Sequence, residues 1–286
     1  YTAQGLPYGF VTYTLAAYLA KLGLSTGEIG SILALSTLPW SFKFLWGPVT
    51  DAIRFPSLGR RRPWFLLAQF FMASTIAAMI AIPNLRTGAA VIGAMVFLHN
   101  VFSSLQDVST DALAVELLSD KERGVANGLM FGASYFGTFL GGAGLGTLVS
   151  RFSLRAALIV QVIYLAGVFL MVLLIGERAG DRFFPWSRSA DHLDEAPNAS
   201  VSFGALLRAL AKAFSVRAAH LGALLAVTSR LGMGVLTTIV TVFLIQRLGW
   251  KEDDYSQVTG GAGVIAGVFG SIAGGFLADR FGHQRI

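Results

Sequence analysis

The sequence contains no cysteine among its 286 residues, and it is poor in charged residues. The absence of cysteine excludes disulfide bonds, thiolate metal sites and cysteine nucleophiles. Charged residues make up 13% of the chain, against roughly 25% in a soluble domain. The motifs of zinc proteases, serine hydrolases and nucleotide-binding loops are also missing. Because hydrophobic residues reach 54%, the composition predicts a protein that crosses the membrane several times.

Eight apolar stretches, each long enough for roughly 30 Å of hydrocarbon, follow one another along the chain. We predict spans over residues 5–22, 28–50, 64–83, 88–108, 124–149, 155–175, 218–246 and 255–279. A polar linker over 176–217 separates the sixth span from the seventh. Its apolar residues fall on one helical face, which predicts a short helix on the membrane surface in contact with anionic lipid. These residues are Phe203, Leu206, Leu207, Leu210 and Phe214.

The seventh and eighth spans repeat features of the first and second. Leu-Gly closes both the first and the seventh span, and Asp51 and Asp279 close the spans that follow. We therefore expect a complete six-helix half over 1–175, the linker over 176–217, and the first two helices of a second half over 218–286. A complete protein of this design would have twelve spans, so we expect four more beyond these eight.

Two related basic segments follow the second and the eighth predicted span. In each, a glycine precedes an aspartate by four residues, and further glycine and arginine residues come next. The glycine permits close approach of a neighbouring helix, and the aspartate one turn later lies on the same face and can pair with the arginines. We predict a gating role for Gly47, Asp51, Arg60, Arg61, Gly275, Asp279 and Arg280.

These two segments resemble the loop between the second and third helices of the major facilitator superfamily. Within it, residues 4–9, 38–46, 58–62 and 106–112 most resemble AmpG-type muropeptide permeases and their acetyl-CoA-transporter relatives. The resemblance implies an all-α membrane bundle of the major facilitator type. It also implies a secondary transporter that works by alternating access and imports a polar, anionic, muropeptide-like solute with protons. Acetyl-CoA or a pterin-type anion is the alternative solute. Ala52 departs from the family pattern, which has an arginine there.

Ionisable and polar residues within the spans are candidates for solute binding, because charge inside a membrane is costly. Arg230 lies near the middle of the seventh span. It either binds an anion or pairs with a carboxylate of another helix. Lys43 either contacts a solute carboxylate or extends toward the headgroups. Tyr8 and Gln4 of the first span are candidates to line a cavity for a polar solute.

Asp107 and Asp111 lie one turn apart at the end of the fourth span. Three hypotheses stay open for them. Their mutual repulsion suits a proton site. Alternatively they form a latch with Arg60 or Arg61 that closes the gate, and their position near the surface favours this latch. The remote alternative is a magnesium site in an intramembrane transferase.

Most of the 22 lysine and arginine residues fall in the connections on the side of the N-terminus, which predicts a cytoplasmic N-terminus. Such basic loops explain the net charge of +6 without a nucleic-acid partner. Glycine-rich stripes in the fifth and eighth spans allow close helix contact. The resemblance implies that these two helices face each other across the halves, and that the absence of proline from the fifth span favours symport. We expect a monomer in a bacterial inner membrane, without cofactor or metal, whose partners are the solute, protons and lipids.

Overall fold

The computed structural model describes residues 1–53, 59–82, 87–175 and 215–269, together with the isolated positions 204, 208 and 212. Within them we number the eight long helices α1 to α8 in chain order. In the first four, α1 comprises Thr2–Gly9, Phe10–Leu15 and Ala16–Lys21; α2 comprises Thr26–Ser41, Lys43–Leu45 and Trp46–Ala52; α3 is Arg62–Ile80; and α4 is Ala89–Leu117. In the last four, α5 comprises Asp120–Phe139, Leu140–Gly144 and Leu145–Arg151; α6 is Leu154–Leu174; α7 comprises Arg217–Val242 and Phe243–Arg247; and α8 comprises Glu252–Ser256, Gln257–Ala262 and residues 263–269.

Each predicted span corresponds to one of these helices, and the predicted all-α fold is confirmed. Within the described part of the chain, four helical segments are long and apolar enough to cross a membrane by length and composition alone: Arg62–Ile80, Ala89–Leu117, Leu154–Leu174 and Ala219–Arg247. The helices α1, α2, α5 and α8 are interrupted by π or 3-10 turns, and α7 ends in a π turn. The predicted boundaries of the two halves and the linker stay predictions, and the apolar residues of the surface helix lie outside the described residues.

The fourth helix extends further than its apolar stretch predicts. The prediction ended at residue 108, whereas α4 continues to Leu117. Residues 109–117 contain no glycine or proline, so the helix continues where the hydrophobicity ends. This extension places Asp107, Asp111 and Glu116 on one helix.

Local capping fixes where the helices begin. Ser25 and Glu28 form a capping box at the start of α2, where the serine N–H donates to Glu28 Oε2 at 2.8 Å. Ser119 and Glu122 repeat this arrangement at the start of α5. Glu122 lies before the predicted span, and the hydrogen bonds from Ser119 lower the pKa of its carboxyl.

The second helix changes direction where it carries the candidate Lys43. A 3-10 turn over Lys43–Leu45 separates its two α-helical segments. Pro48 explains this turn, because a proline ring removes one backbone donor and clashes with the carbonyl four residues earlier, that of Phe44. The four residues 42–45 therefore leave the regular α-helix, and Lys43 is the charged residue among them.

Helices α1 to α6 form one packed group. The helix α3 packs against α4 and α6, α1 packs against α5, and α2 packs against α4. Buried apolar side chains from α1 to α6 form most of the core, among them Phe10, Ile29, Met72, Ile92 and Leu158, and Ile245 of α7 and Tyr255 of α8 belong to the same cluster. Large apolar side chains also lie exposed on the outer surface, as expected for a protein whose solvent there is lipid.

Glycines allow α1 and α5 to touch through their backbones. A Cβ atom added at Gly5 would lie 2.1 Å from the carbonyl oxygen of Ser134, and one at Gly141 would lie 2.0 Å from that of Leu6. The predicted contact between the glycine stripes of α5 and α8 is confirmed, since a Cβ at Gly142 would lie 2.6 Å from the Cα of Gly260. The sequence did not indicate that the stripe of α5 also faces α1.

The bundle has two ends of different character. We call the end with the connections 22–25, 152–153 and 248–251 the distal end, and the end with 53–61 and 118–119 the basic end. At the distal end, α7 and α8 contact α1, α2 and α5. There the side-chain amide of Gln246 donates to the carbonyl oxygens of Ala20 and Leu24, each at 2.9 Å. The two helix groups are thus joined at the distal end.

Candidate solute-binding and gating sites

Lys43 and Asp107 form an ion pair between α2 and α4. The ammonium Nζ lies 2.9 Å from Asp107 Oδ2. The aspartate side chain is 8% exposed, whereas that of Lys43 is 45% exposed. A buried carboxylate requires a partner of opposite charge, and here Lys43 supplies it. The pair therefore has one buried member and one that a solute can reach.

Two further side chains hold this pair in position. With its amide oriented to satisfy both groups, Gln4 donates to Asp107 Oδ1 at 3.2 Å and accepts from the backbone N–H of Asp107 at 3.3 Å. The ring of Trp40 lies 6.0 Å from the Lys43 ammonium, and its indole N–H donates to Asn100 Oδ1 at 3.0 Å. Trp40 is therefore fixed beside the cation. Sequence reasoning had not given Trp40 or Asn100 a role.

A cavity of about 580 Å³ opens at this ion pair, between α1, α2, α4 and α5. This volume lies in the usual range for sites that bind small molecules. Gln4, Lys43, Asp107 and Asp111 all line it, so the structure brings together four of the predicted residues. Asp111 accepts a hydrogen bond from the hydroxyl of Tyr1. The remaining predicted residue of α1, Tyr8, is 46% exposed.

A second charged cluster lies at the basic end. Asp51 accepts from Arg60 at 3.0 Å and lies 2.8 Å from Arg61 NH2. Arg61 NH2 also lies 2.6 Å from Glu116 Oε1, and Arg61 NH1 donates to Thr50 Oγ1 at 3.1 Å. The side chain of Arg61 is 5% exposed, so two carboxylates balance a buried charge.

The predicted latch has different partners from those expected. The hypothesis paired Arg60 or Arg61 with Asp107 or Asp111, but the carboxylates that hold the arginines are Asp51 and Glu116, and Asp107 pairs with Lys43. The reason is depth along α4. Nine residues separate Asp107 from Glu116, which is about 13 Å along a helix. Glu116 was not among the predicted site residues, because the predicted span ended before it.

The structure describes some of the other predicted positions and not the rest. No described atom lies within 4 Å of a Cβ added at Gly47, so the close helix approach expected there is not seen in this conformation. Arg230 lies in α7, but its side chain is outside those described. Gly275, Asp279 and Arg280 lie outside the described residues, and their roles stay predictions.

The surroundings of Asp107 bear on the magnesium hypothesis. Its Oδ2 faces the Lys43 ammonium and its Oδ1 faces the amide of Gln4. The ammonium of Lys43 already balances the charge of this carboxylate. The site therefore suits the binding of an anion at Lys43 better than the coordination of a magnesium ion by Asp107.

The fold is an all-α helical bundle with long apolar helices, and comparison with known proteins identifies its family. The model of the Major Facilitator Superfamily matches residues 1–286, and the chain belongs to this superfamily. It is 27% identical over 288 residues to the anhydromuropeptide permease of Escherichia coli (strain K12), covering 97% of this chain and 54% of that protein. It is 24% identical over 276 residues to the putative transporter AmpG 1 of Rickettsia bellii, covering 93% and 64%.

An uncharacterized protein of Haemophilus influenzae is 36% identical over 125 residues, which is 43% of this chain and 29% of that protein. The predicted resemblance to AmpG-type permeases is therefore confirmed. The chain spans about half the length of the E. coli permease that it matches.

Proposed function

We propose that the protein is a secondary transporter that moves a polar, anionic solute across the membrane by alternating access. The observation that carries this proposal is the half-exposed ammonium of Lys43 in a cavity of about 580 Å³. A cation that is held beside an aromatic ring and open to a cavity is suited to a carboxylate or phosphate group. The E. coli relative is named for anhydromuropeptides, which are sugar-linked peptides with free carboxylates, and we propose a solute of this class.

We propose import as the direction of transport. The excess of lysine and arginine assigns the basic end to the cytoplasm. The contacts of α7 and α8 with α1, α2 and α5 lie at the distal end. At the other end, no described atom lies within 4 Å of a Cβ added at Gly128 or Gly132 of α5 or at Gly267 of α8. This pattern supports an arrangement that is closed outward and open to the cytoplasm.

We propose that protons drive uptake, with Asp107 as the group that takes up the proton and Asp111 as a second carboxylate of the same cavity. Arg230 of α7 is proposed as a second anion-binding residue, on the opposite side of the central space. The bacterial inner membrane is the proposed location, with the protein as a monomer surrounded by lipid. We propose no enzymatic reaction for the chain.

Acetyl-CoA and pterin-type anions are the alternative solutes. Both carry negative groups that Lys43 would bind, so the charge of the site does not distinguish them from a muropeptide. The names of the relatives favour the muropeptide.

Uptake into proteoliposomes tests this function. The full-length protein is reconstituted, and a radiolabelled anhydromuropeptide is supplied with an inward proton gradient. We expect uptake that Lys43→Gln removes and that an excess of unlabelled acetyl-CoA or folate does not reduce. Lys251→Gln is the matched control, because Lys251 is an exposed lysine of the distal end. Full uptake by Lys43→Gln would contradict the proposed site. Uptake of acetyl-CoA or folate without uptake of the anhydromuropeptide would show that the solute is one of these alternatives.

A further inference from the structure

The pair of Lys43 and Asp107 points to a specific way of coupling a proton to the solute, which rests on the proposed function. We propose that Lys43 exchanges its partner during transport, from Asp107 to a carboxylate of the solute, while Asp107 takes up a proton. One proton then accompanies each carboxylate bound at Lys43.

The unequal exposure of the two side chains sets the order of access. A solute in the cavity reaches the ammonium of Lys43, which is 45% exposed, before it reaches the carboxylate of Asp107, which is 8% exposed. An anionic solute therefore competes with Asp107 for the same cation. A solute carboxylate that accepts from Nζ must displace Asp107 Oδ2, which now lies 2.9 Å from it.

Once the solute has displaced Asp107 from Lys43, Asp107 is stabilised by taking up a proton. A buried carboxylate without its cation is strongly disfavoured, whereas the neutral acid is not. The proton comes from water and binds Oδ2, the oxygen that Lys43 leaves. Oδ1 keeps its hydrogen bond from the amide of Gln4 in both states. Gln4 is thus a positioning residue that holds Asp107 while its partner changes.

The charge of the site is the same before and after this exchange. In the empty site, the ammonium and the carboxylate cancel. In the loaded site, the ammonium and the carboxylate of the solute cancel, and Asp107 is neutral. The membrane disfavours a net charge in either form, so both forms can reorient and a half-loaded form is excluded. This conservation of charge is what makes the proton and the solute travel together.

Other titratable groups face Asp107 and enter the test. They are Asp111 on its own helix and the hydroxyl of Tyr1, which precedes α1. Asp111 accepts from the Tyr1 hydroxyl. Because it lines the same cavity without being the partner of Lys43, Asp111 provides the matched control.

Calorimetric binding to the purified full-length protein measures the exchange. Two probes are used: an anhydromuropeptide with free peptide carboxylates, and the same molecule with those groups converted to carboxamides. Titrations in buffers of different ionisation enthalpy give the number of protons taken up. For the acidic probe we expect about one proton per molecule bound near neutral pH, and an affinity that falls about tenfold per pH unit above neutrality.

The variants separate the exchange from general binding. Asp107→Asn is expected to bind the acidic probe without proton uptake and with no dependence on pH. Asp111→Asn is expected to keep the proton uptake. Lys43→Gln is expected to bind both probes alike. If Asp107→Asn is unstable in detergent, the double variant Lys43→Gln/Asp107→Asn removes the pair together and should bind both probes alike without proton uptake.

Each result has one consequence. Proton uptake that is lost in Asp107→Asn and kept in Asp111→Asn supports the exchange. Binding without proton uptake, or proton uptake that Asp107→Asn retains, overturns the exchange and leaves the transport function standing. Equal pH dependence for the acidic and carboxamide probes also overturns it. Failure of the wild-type protein to bind either probe overturns the proposed function itself.

Discussion

The distal and basic ends of the bundle are held together by different chemistry. At the basic end, Asp51, Arg60, Arg61 and Glu116 all belong to the group α1 to α6, so their ion pairs hold that group to itself. At the distal end, the contacts described above join α7 and α8 to that group. The comparison teaches that buried charge holds one helix group together, whereas hydrogen bonds, an exposed ion pair and the packing of Tyr255 and Ile245 join the two groups.

The magnitudes explain why this division suits a carrier. Breaking a buried ion pair by removal of one member costs about 3–5 kcal/mol. A neutral hydrogen bond contributes only about 1 kcal/mol, and an exposed ion pair contributes about 0–1 kcal/mol. A group held by buried charge stays intact while contacts of the second kind form and break. Opening the distal end therefore leaves the buried ion pairs of the basic end intact.

The largest expected effect is on Arg61. Arg61→Ala leaves the carboxylates of Asp51 and Glu116 without their buried cation, and we expect a loss of about 3–5 kcal/mol in stability. Arg60→Ala is the matched control, because Arg60 is 29% exposed and its removal should cost about 1 kcal/mol or less. Unfolding of both variants in detergent measures the difference. Equal losses would show that the basic end is not held by buried charge.

Two neighbouring glycines sharpen the comparison. Gly141 faces α1 and Gly142 faces α8. Gly141→Ala should destabilise the bundle by about 1–3 kcal/mol, because the added methyl overlaps the carbonyl of Leu6. Gly142→Ala should instead push α5 and α8 apart and increase labelling of the distal end by membrane-impermeant reagents.

Gly128 is the control for both substitutions, since no described atom lies within 4 Å of an added Cβ there. Gly128→Ala should leave labelling unchanged and stabilise the helix by roughly 0.5–1 kcal/mol. If Gly141→Ala and Gly142→Ala behaved alike, the distinction between contacts within a group and contacts between groups would fail.

A smaller effect is expected at Gln246. Gln246→Ala removes two hydrogen bonds to the end of α1, worth about 1–2 kcal/mol together, and should raise the fraction of molecules open at the distal end. Accessibility of a cysteine introduced at Ser256, which is buried against Gly146 of α5, measures this fraction. Ser31→Ala is the control, because that hydroxyl bonds only to its own helix at the carbonyl of Gly27. An unchanged accessibility in Gln246→Ala would show that this contact does not hold the distal end closed.

The smallest effect is expected for Lys21. Its ammonium pairs with Glu252, but its side chain is 56% exposed. Lys21→Gln should change the free energy of opening at the distal end by less than about 1 kcal/mol, and high salt should abolish the difference from wild type. The same accessibility assay in low and high salt measures it. A larger or salt-independent change would mean that this pair is more than a surface contact.

The sequence predicts the number and order of the helices well, because apolar length decides what crosses a membrane. It predicts Lys43, Gln4, Asp107 and Asp111 as candidates, and these four share one cavity. The pairing of Asp51 with the arginines was expected, whereas Lys43 with Asp107 and Arg61 with Glu116 could not be predicted, because those pairs depend on helix rotation and depth. Glu116 was omitted because helicity continues beyond the apolar stretch, and Trp40 gained a role only from its position beside Lys43.

The central claim is that the two ends open alternately, and a pair of distances tests it most directly. The 286 residues contain no cysteine, so spin labels can be attached at introduced ones. One pair joins Ser150 to Asp253 at the distal end, and the other joins Asn127 to Gly267 toward the basic end. Without solute, we expect the distal distance to be short and the basic distance long. With the acidic anhydromuropeptide at low pH, a second population should appear in which the distal distance is longer and the basic distance shorter. Distances that both lengthen, both shorten or both stay fixed would contradict the account.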